Sequence, residues 1–460
     1  MSQPGVLGKG GFGCTYRPPL RCAGNYPDSF YDGKVTKLMT ERHAEEEIDE
    51  YEAIDEADPQ MKFHLGNPVM CDLNGNYDTL VKETCENDFL KEDNYEDLQL
   101  LVLPDGGLDT YQFYRGGHAE EYFLRHGVAG VRHFLAAFVE VSKGLEVMKK
   151  AELCHHDLKP SNVVCKISED GSVQLRMIDF GSMETMGSIA ALATQNRNPF
   201  AIYHWNFPLT CKFLERKEWD KIIKAIKSSS TEEFKQSIVK DDEARHATQS
   251  MIDDCFPDDA DNDALVTKIL NKFADYLINF HKRYLATNMD DRSIWRDYFS
   301  NAIRRIDVFG LGVTFLFCTQ RMKKYFDQEA AFDGILTVME DMISYNTPVS
   351  GYTNRLQQEV DKFNATADNL QVNFVRKEDD TNPNPVEASG GSVTPFDPYA
   401  DPVDAQGNPL RWWKQSGGAM GTKRRRGIRR TRRRTTKRKK TTKQRTRKTG
   451  RKHARKQRIG

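Results

Sequence analysis

His155-His156-Asp157-Leu158-Lys159-Pro160-Ser161-Asn162, followed by Asp179-Phe180-Gly181, is the stretch on which the reading of this chain turns. Asp157 is of the type that accepts the proton of an attacking hydroxyl. Lys159, two residues on, is suited to neutralise charge on a transferred phosphoryl group. Asn162 offers an amide oxygen to a magnesium ion. Asp179 ends the apolar pair Met177-Ile178 and offers a carboxylate, in keeping with the habit of Mg²⁺ to take one or two carboxylates and fill its shell with phosphate oxygens. Between the two motifs, Glu169-Asp170-Gly171 reads as a hairpin tip.

Toward the N-terminus, Gly8-Lys9-Gly10-Gly11-Phe12-Gly13 matches G-x-G-x-x-G. Glycines let a backbone approach phosphate closely. Alone the motif is weak, and a flexible glycine turn is its commoner meaning. A dinucleotide fold needs a helix straight after it. Here the strand-like Cys14-Thr15-Tyr16 follows, which favours a hairpin over phosphate. Val35-Thr36-Lys37-Leu38 reads as a further strand, and Lys37 in it is a compact charge able to meet phosphates. An acidic helix spans about Glu41 to Glu56. Glu47, with Tyr51 at i+4 and Ile54 at i+7, belongs to its inward face and is preferred to Glu50 as the partner of Lys37. Strands at Val6-Leu7 and Leu98 to Leu103, with mostly helical patterning from about Val128, give an α+β chain: a small strand-rich lobe, then a larger helical one.

Glycine loop, strand lysine, acidic helix, Asp-x-Lys-x-x-Asn and Asp-Phe-Gly appear in that order, and over residues 4 to 365 the chain resembles a eukaryotic-type protein kinase. The resemblance implies a bilobal fold, with an N-lobe over about 1–105 and a C-lobe over about 106–365. It also implies transfer of the ATP γ-phosphate with Mg²⁺ to a protein hydroxyl, of the Ser/Thr type because of Lys159. Asp157 and Lys159 become catalytic, and Asn162 and Asp179 metal ligands. Gly8, Gly10, Gly11, Phe12, Gly13, Thr15, Val35, Lys37, Glu47 and Leu103 become nucleotide-binding, with Leu103 to Gly107 the hinge beside the adenine. Asp307-Val308-Phe309-Gly310-Leu311-Gly312 resembles the start of the family's central C-lobe helix, so Asp307 is expected to brace the catalytic loop. The chain departs from the family in three places. His156 stands where an arginine usually clamps a phosphorylated loop, so activity without phosphorylation of Thr185, Ser188 or Thr194 is expected. Phe207-Pro208-Leu209 replaces Ala-Pro-Glu. Residues 212–305 are an insertion, expected to be helical from the capping box at Ser230-Thr231-Glu232-Glu233 and the amphipathic run Asp263 to Tyr284. With a glycine loop eight residues in, this insertion and the tail, the chain looks similar to kinases encoded by large DNA viruses.

The 460 residues carry 67 basic and 67 acidic side chains, and that balance hides a division. Residues 421–460 hold 22 Lys and Arg and no acid, leaving 45 basic against 67 acidic residues before them. Such a tail has almost nothing apolar to bury and suits a polyanion such as nucleic acid, or nuclear import. Folding back on the acidic body is the competing expectation. Its threonines make it a candidate autophosphorylation substrate. Residues 366–420, with six prolines from Pro383 to Pro409, read as a linker around Trp412-Trp413. Nine cysteines without a C-x-x-C pair suggest neither a zinc site nor disulfides, and hence a reducing compartment. The start lacks a secretory signal, and the longest apolar stretch, Val308 to Cys318, is far short of a membrane span. The expectation is an intracellular monomer, nuclear or virion-associated, with no membrane partner. A catalytically weak kinase fold acting as a nucleic-acid-tethered scaffold is the alternative.

Overall fold

A computed structural model describes residues 4–10, 13–85, 98–194, 206–255, 262–287, 289–345 and 350–372. Gly11, Phe12, the linker beyond residue 372 and the basic tail lie outside them.

Strands β1 (Gly5–Gly10), β2 (Gly13–Arg17), β3 (Lys34–Thr40), β4 (Val69–Asp72) and β5 (Leu98–Pro104) form one antiparallel sheet in the order β1-β2-β3-β5-β4. The apolar run of β5 serves two cores. Leu101 and Leu103 join a large core with Val35, Met39 and the next helix, whereas Leu98, Leu100 and Val102 join a small outer core with Cys14, Tyr16 and Leu38. A strand buried on both faces reads as continuously apolar for this reason. Helix α1 (Glu41–Ala57) lies between β3 and β4, and α2 (Asp78–Thr84) between β4 and β5. The buried face of α1 carries Ala44, Glu47, Tyr51 and Ile54, at the three- and four-residue spacing of a helical stripe.

The disulfide-free expectation is corrected here. Cys14 is bonded to Cys85 and Cys22 to Cys71, while Cys154, Cys165, Cys211, Cys255 and Cys318 are free and buried. The pairs are 71 and 49 residues apart in sequence, so no local spacing could announce them. All four bonded cysteines sit in the small outer core, which has few apolar side chains of its own.

The second part is mostly helical. Helix starts earlier than the pattern around Val128 suggests, at α3 (Thr110–Arg115), where the Asp109 carboxylate caps the N–H of Gln112 at 2.8 Å. Next comes α4 (His118–Lys150), broken at Gly127 with φ 52°. Short strands β6 (Leu108–Asp109), β8 (Val163–Ile167) and β9 (Val173–Met177) form a three-stranded sheet, and β7 (Leu153–Cys154) pairs with β10 (Glu184–Thr185). Between them they hold the loop 155–162 and the segment 178–183.

After α5 (Met186–Thr194), the insertion folds as α6 (Arg216–Ser228), α7 (Thr231–Val239), α8 (Asp242–Cys255) and α9 (Asn262–Leu285). The Ser230–Glu233 capping box is present in both directions. This segment belongs to the core. Trp219 lies 4.3 Å, ring centre to ring centre, from Tyr298 of helix α10 (Asp291–Met322). That helix does not start at Asp307, as the resemblance suggested. Asp290 caps it through the N–H groups of Arg292 and Ser293, and no Gly or Pro interrupts 291–306, so Asp307 sits in mid-helix. Helices α11 (Asp333–Ile343) and α12 (Tyr352–Thr366) complete the described chain. No helix among the described residues is long and apolar enough to cross a membrane.

Candidate active site

Sheet register gathers the first group of predicted residues. Thr15 is opposite Lys37, and Lys37 opposite Leu101; one step of two residues away, Val35 is opposite Leu103. Residues in register, or two apart, share a face, so Thr15, Val35, Lys37 and Leu103 all line the inner side of the sheet. Glycines 8, 10 and 13 lie at the β1–β2 turn. Gly13 is fixed by packing, since a Cβ there would lie 2.3 Å from the Leu38 carbonyl oxygen. Among the described residues, a Cβ at Gly8 would meet nothing within 4 Å, and one at Gly10 only the Gly13 carbonyl oxygen at 3.7 Å.

Lys37 Nζ donates to Glu47 Oε2 at 2.8 Å and to Asp179 Oδ1 at 3.0 Å. Glu50 is buried on the same helix but does not take this place. Burial works against the Lys37 ammonium, yet the carboxylates of Asp179 and Glu47 outweigh it and keep the amine protonated. Lys37 in turn holds the Asp179 carboxyl below the usual carboxylate range, while burial pushes Glu47 up. Asp179 has φ 62°. This left-handed turn directs Phe180 back under α1, where its ring meets Tyr51 edge-on at 5.2 Å and lies 4.9 Å from His155.

The second group stands on the loop after β7. Lys159 Nζ and Asn162 Nδ2 both donate to Asp157 Oδ2, each at 3.0 Å. Asn162 Nδ2 also donates to the Asp157 carbonyl at 2.8 Å, which turns its amide oxygen the other way. The loop hangs from α10: Asp307 accepts the N–H of His155 at 2.7 Å and that of His156 at 2.9 Å. Gly310, one turn on, makes the approach feasible, since a Cβ there would lie 2.4 Å from the Leu158 carbonyl oxygen. His156 has φ 78°, and its Nδ1 lies 3.2 Å from the Ser182 carbonyl oxygen. Burial lowers its pKa from the ordinary histidine value, which leaves the imidazole neutral at pH 7.

Two contacts escape sequence reading. Asn206 is buried and donates to Asp157 Oδ1 at 2.9 Å and to the Leu158 carbonyl at 3.2 Å. Arg17 pairs with Asp105 and donates to the Gly107 carbonyl at 2.8 Å, tying β2 to the segment after β5. No motif announces either residue, although Asn206 stands immediately before the recognisable Phe207-Pro208-Leu209.

Among the described residues no group of three or more His, Cys, Asp or Glu gathers as a metal site. The hard oxygens of Asp179 and Asn162 suit Mg²⁺ with most of its shell supplied by phosphate and water.

Over 73 residues, 15% of the chain, the sequence is 32% identical to the serine/threonine-protein kinase ATG1c of Arabidopsis thaliana. The match spans 9% of that protein's length. No protein-family model matches the chain. The chain is thus similar to a serine/threonine kinase over a short stretch, and its mixed α+β architecture is compatible with a kinase-like fold.

Proposed function

We propose that the chain is a Ser/Thr protein kinase, with a domain over about residues 1–365 that moves the γ-phosphate of ATP to a protein hydroxyl. One observation carries the reading: Lys37, Glu47 and Asp179 form one ion-paired group across the two parts of the chain, beside an Asp157 carboxylate held by Lys159, Asn162 and Asn206. Glycine at positions 8 and 10 supports it. Among the described residues no neighbour demands the missing side chains there, so room for a phosphate is a reason for them.

Mg²⁺-ATP, when bound, supplies the phosphoryl group and the cation that screens its charge. Asp179 and the Asn162 amide oxygen would hold the metal. Lys37, oriented by Glu47, meets phosphate oxygens. Asp157 orients the substrate hydroxyl and takes its proton, and Lys159 stabilises charge on the group in transit. Positioning and electrostatics carry such catalysis. Neutral His156 lacks the charge to clamp a phosphorylated loop, which supports activity without that modification. The tail at 421–460 adds a proposed nucleic-acid or nuclear-targeting function, and the resemblance to kinases of large DNA viruses belongs to the same proposal.

The test is incorporation of labelled phosphate from Mg²⁺-ATP into a basic protein and into the chain itself, for wild type and Asp157→Ala. Incorporation that disappears in the variant supports the kinase and assigns the base. ATP binding without incorporation in either favours the scaffold.

A further inference from the structure

We propose that Gln112 latches the glycine loop over the nucleotide, by holding a main-chain carbonyl that a bulge in β1 sets free, and so governs how fast the nucleotide leaves; the inference rests on the kinase reading above. Strands β1 and β2 pair Val6 with Tyr16 and Gly8 with Thr15, which leaves Leu7 as an extra residue with none opposite it. A bulge of this kind takes one residue out of the ladder and turns its main chain aside. The freed carbonyl is taken up from the far side of the cleft, where Gln112 Nε2 donates to it at 3.2 Å. A carbonyl accepts and never donates, so the Gln112 amide presents its NH₂ end there. The Leu7 side chain packs against the large core.

The arm that holds the carbonyl is anchored on three sides. Asp109 caps α3 at the N–H of Gln112 itself. The Thr110 hydroxyl donates to the Pro160 carbonyl at 2.7 Å, which fixes α3 to the loop that carries Asp157. The Tyr111 ring stacks on Phe317 of α10 at 5.5 Å between centres. The strand it holds runs on through Gly8 and Gly10, where no side chain stiffens the backbone. Arg17 pins this hairpin at its open end, where it pairs with Gly5, and Gln112 catches it two residues nearer the tip. A nucleotide under the loop leaves when β1 lifts from α3, and that lift breaks the Gln112–Leu7 bond. One neutral hydrogen bond slows such a step about three- to tenfold. The bond belongs to the cover and not to Asp157 and its partners, so transfer inside the closed cleft does not depend on it.

Two measurements on the full chain test this: stopped-flow release of a fluorescent ADP analogue, and a single turnover of prebound Mg²⁺-ATP onto a basic protein. The variants are Gln112→Met, of the same length without a donor, and Gln112→Glu, of the same shape with an acceptor facing the carbonyl. ADP should leave Gln112→Met about three- to tenfold faster than wild type, and Gln112→Glu at least as fast, with single-turnover rates within about twofold of wild type. Release as slow as wild type in the folded variants overturns the inference. So does a single-turnover rate that falls in step with faster release, because a disturbed α3 acts through Thr110 on the catalytic loop. Either variant decides if the other fails to fold. A wild type that transfers phosphate while its variants release ADP unchanged loses this inference alone. A wild type that binds neither ADP nor ATP removes the kinase reading, and this inference with it.

Discussion

Asp157 accepts from three side chains, and only two of them stand in its own motif. The third, Asn206, comes from the far side of residues 195–205 and fixes the other carboxylate oxygen. On the proposed kinase reading it is a positioning residue. In Asn206→Ala, kcat should fall about tenfold, the value of one buried hydrogen bond aimed at an ionised group, with KM for ATP unchanged. Asn206→Asp is the sharper test. A second carboxylate beside Asp157 disfavours its ionised form, so the acid limb of the pH–rate profile should move to higher pH. A variant with lower activity and an unmoved profile would assign Asn206 to folding alone. Backbone strain collects at the same place. His156 and Asp179 are two of the few non-glycine residues with positive φ, and each is held by a named partner, His156 by Asp307 and Asp179 by Lys37.

Among the elements, α1 and the two disulfides divide the work of the sheet. The inner face of α1 meets the site through Glu47 on Lys37 and Tyr51 on Phe180. On the opposite side of the sheet, Cys14–Cys85 ties the strand after the glycine loop to the end of α2, and Cys22–Cys71 ties the β2–β3 connection to β4. Closing loops of this size stabilises a fold by about 2–4 kcal/mol. Cys14→Ser/Cys85→Ser should therefore lower the denaturant midpoint measured without reductant, while strong reductant should bring wild type and variant together. Mass mapping of unreduced protein that finds nine free thiols would remove the premise.

For the whole molecule, charge is the organising quantity. The residues before 421 carry an excess of 22 acids, and residues 421–460 an equal excess of bases. If the tail neutralises about six to ten phosphates, affinity for duplex DNA should fall about 10³- to 10⁵-fold between about 50 and 200 mM salt. A chain ending at residue 420 should lose that binding and keep its phosphotransfer. The tail contains no Phe, Tyr or Trp for base stacking, so the affinity should be indifferent to sequence. Salt-independent binding, or binding retained by the truncated chain, counts against the nucleic-acid proposal.

Residue type and local spacing are enough to suggest the chemistry on offer and the coarse architecture. Asp157, Lys159, Asn162 and Asp179 stand within one short stretch, where residue type and spacing are enough to suggest a task. Strand and helix periods likewise placed β3, β5, α1 and the Ser230 cap, because each depends on near neighbours alone. The tertiary structure decided what depends on chain closure over long distances. It brought Lys37 to Asp179 across 142 residues and Asp307 to the His155 N–H across 152. It joined four cysteines and delivered Asn206 to Asp157. Such contacts leave no periodic trace in the sequence, since their energy comes from burial and partnership that exist only once the chain has folded.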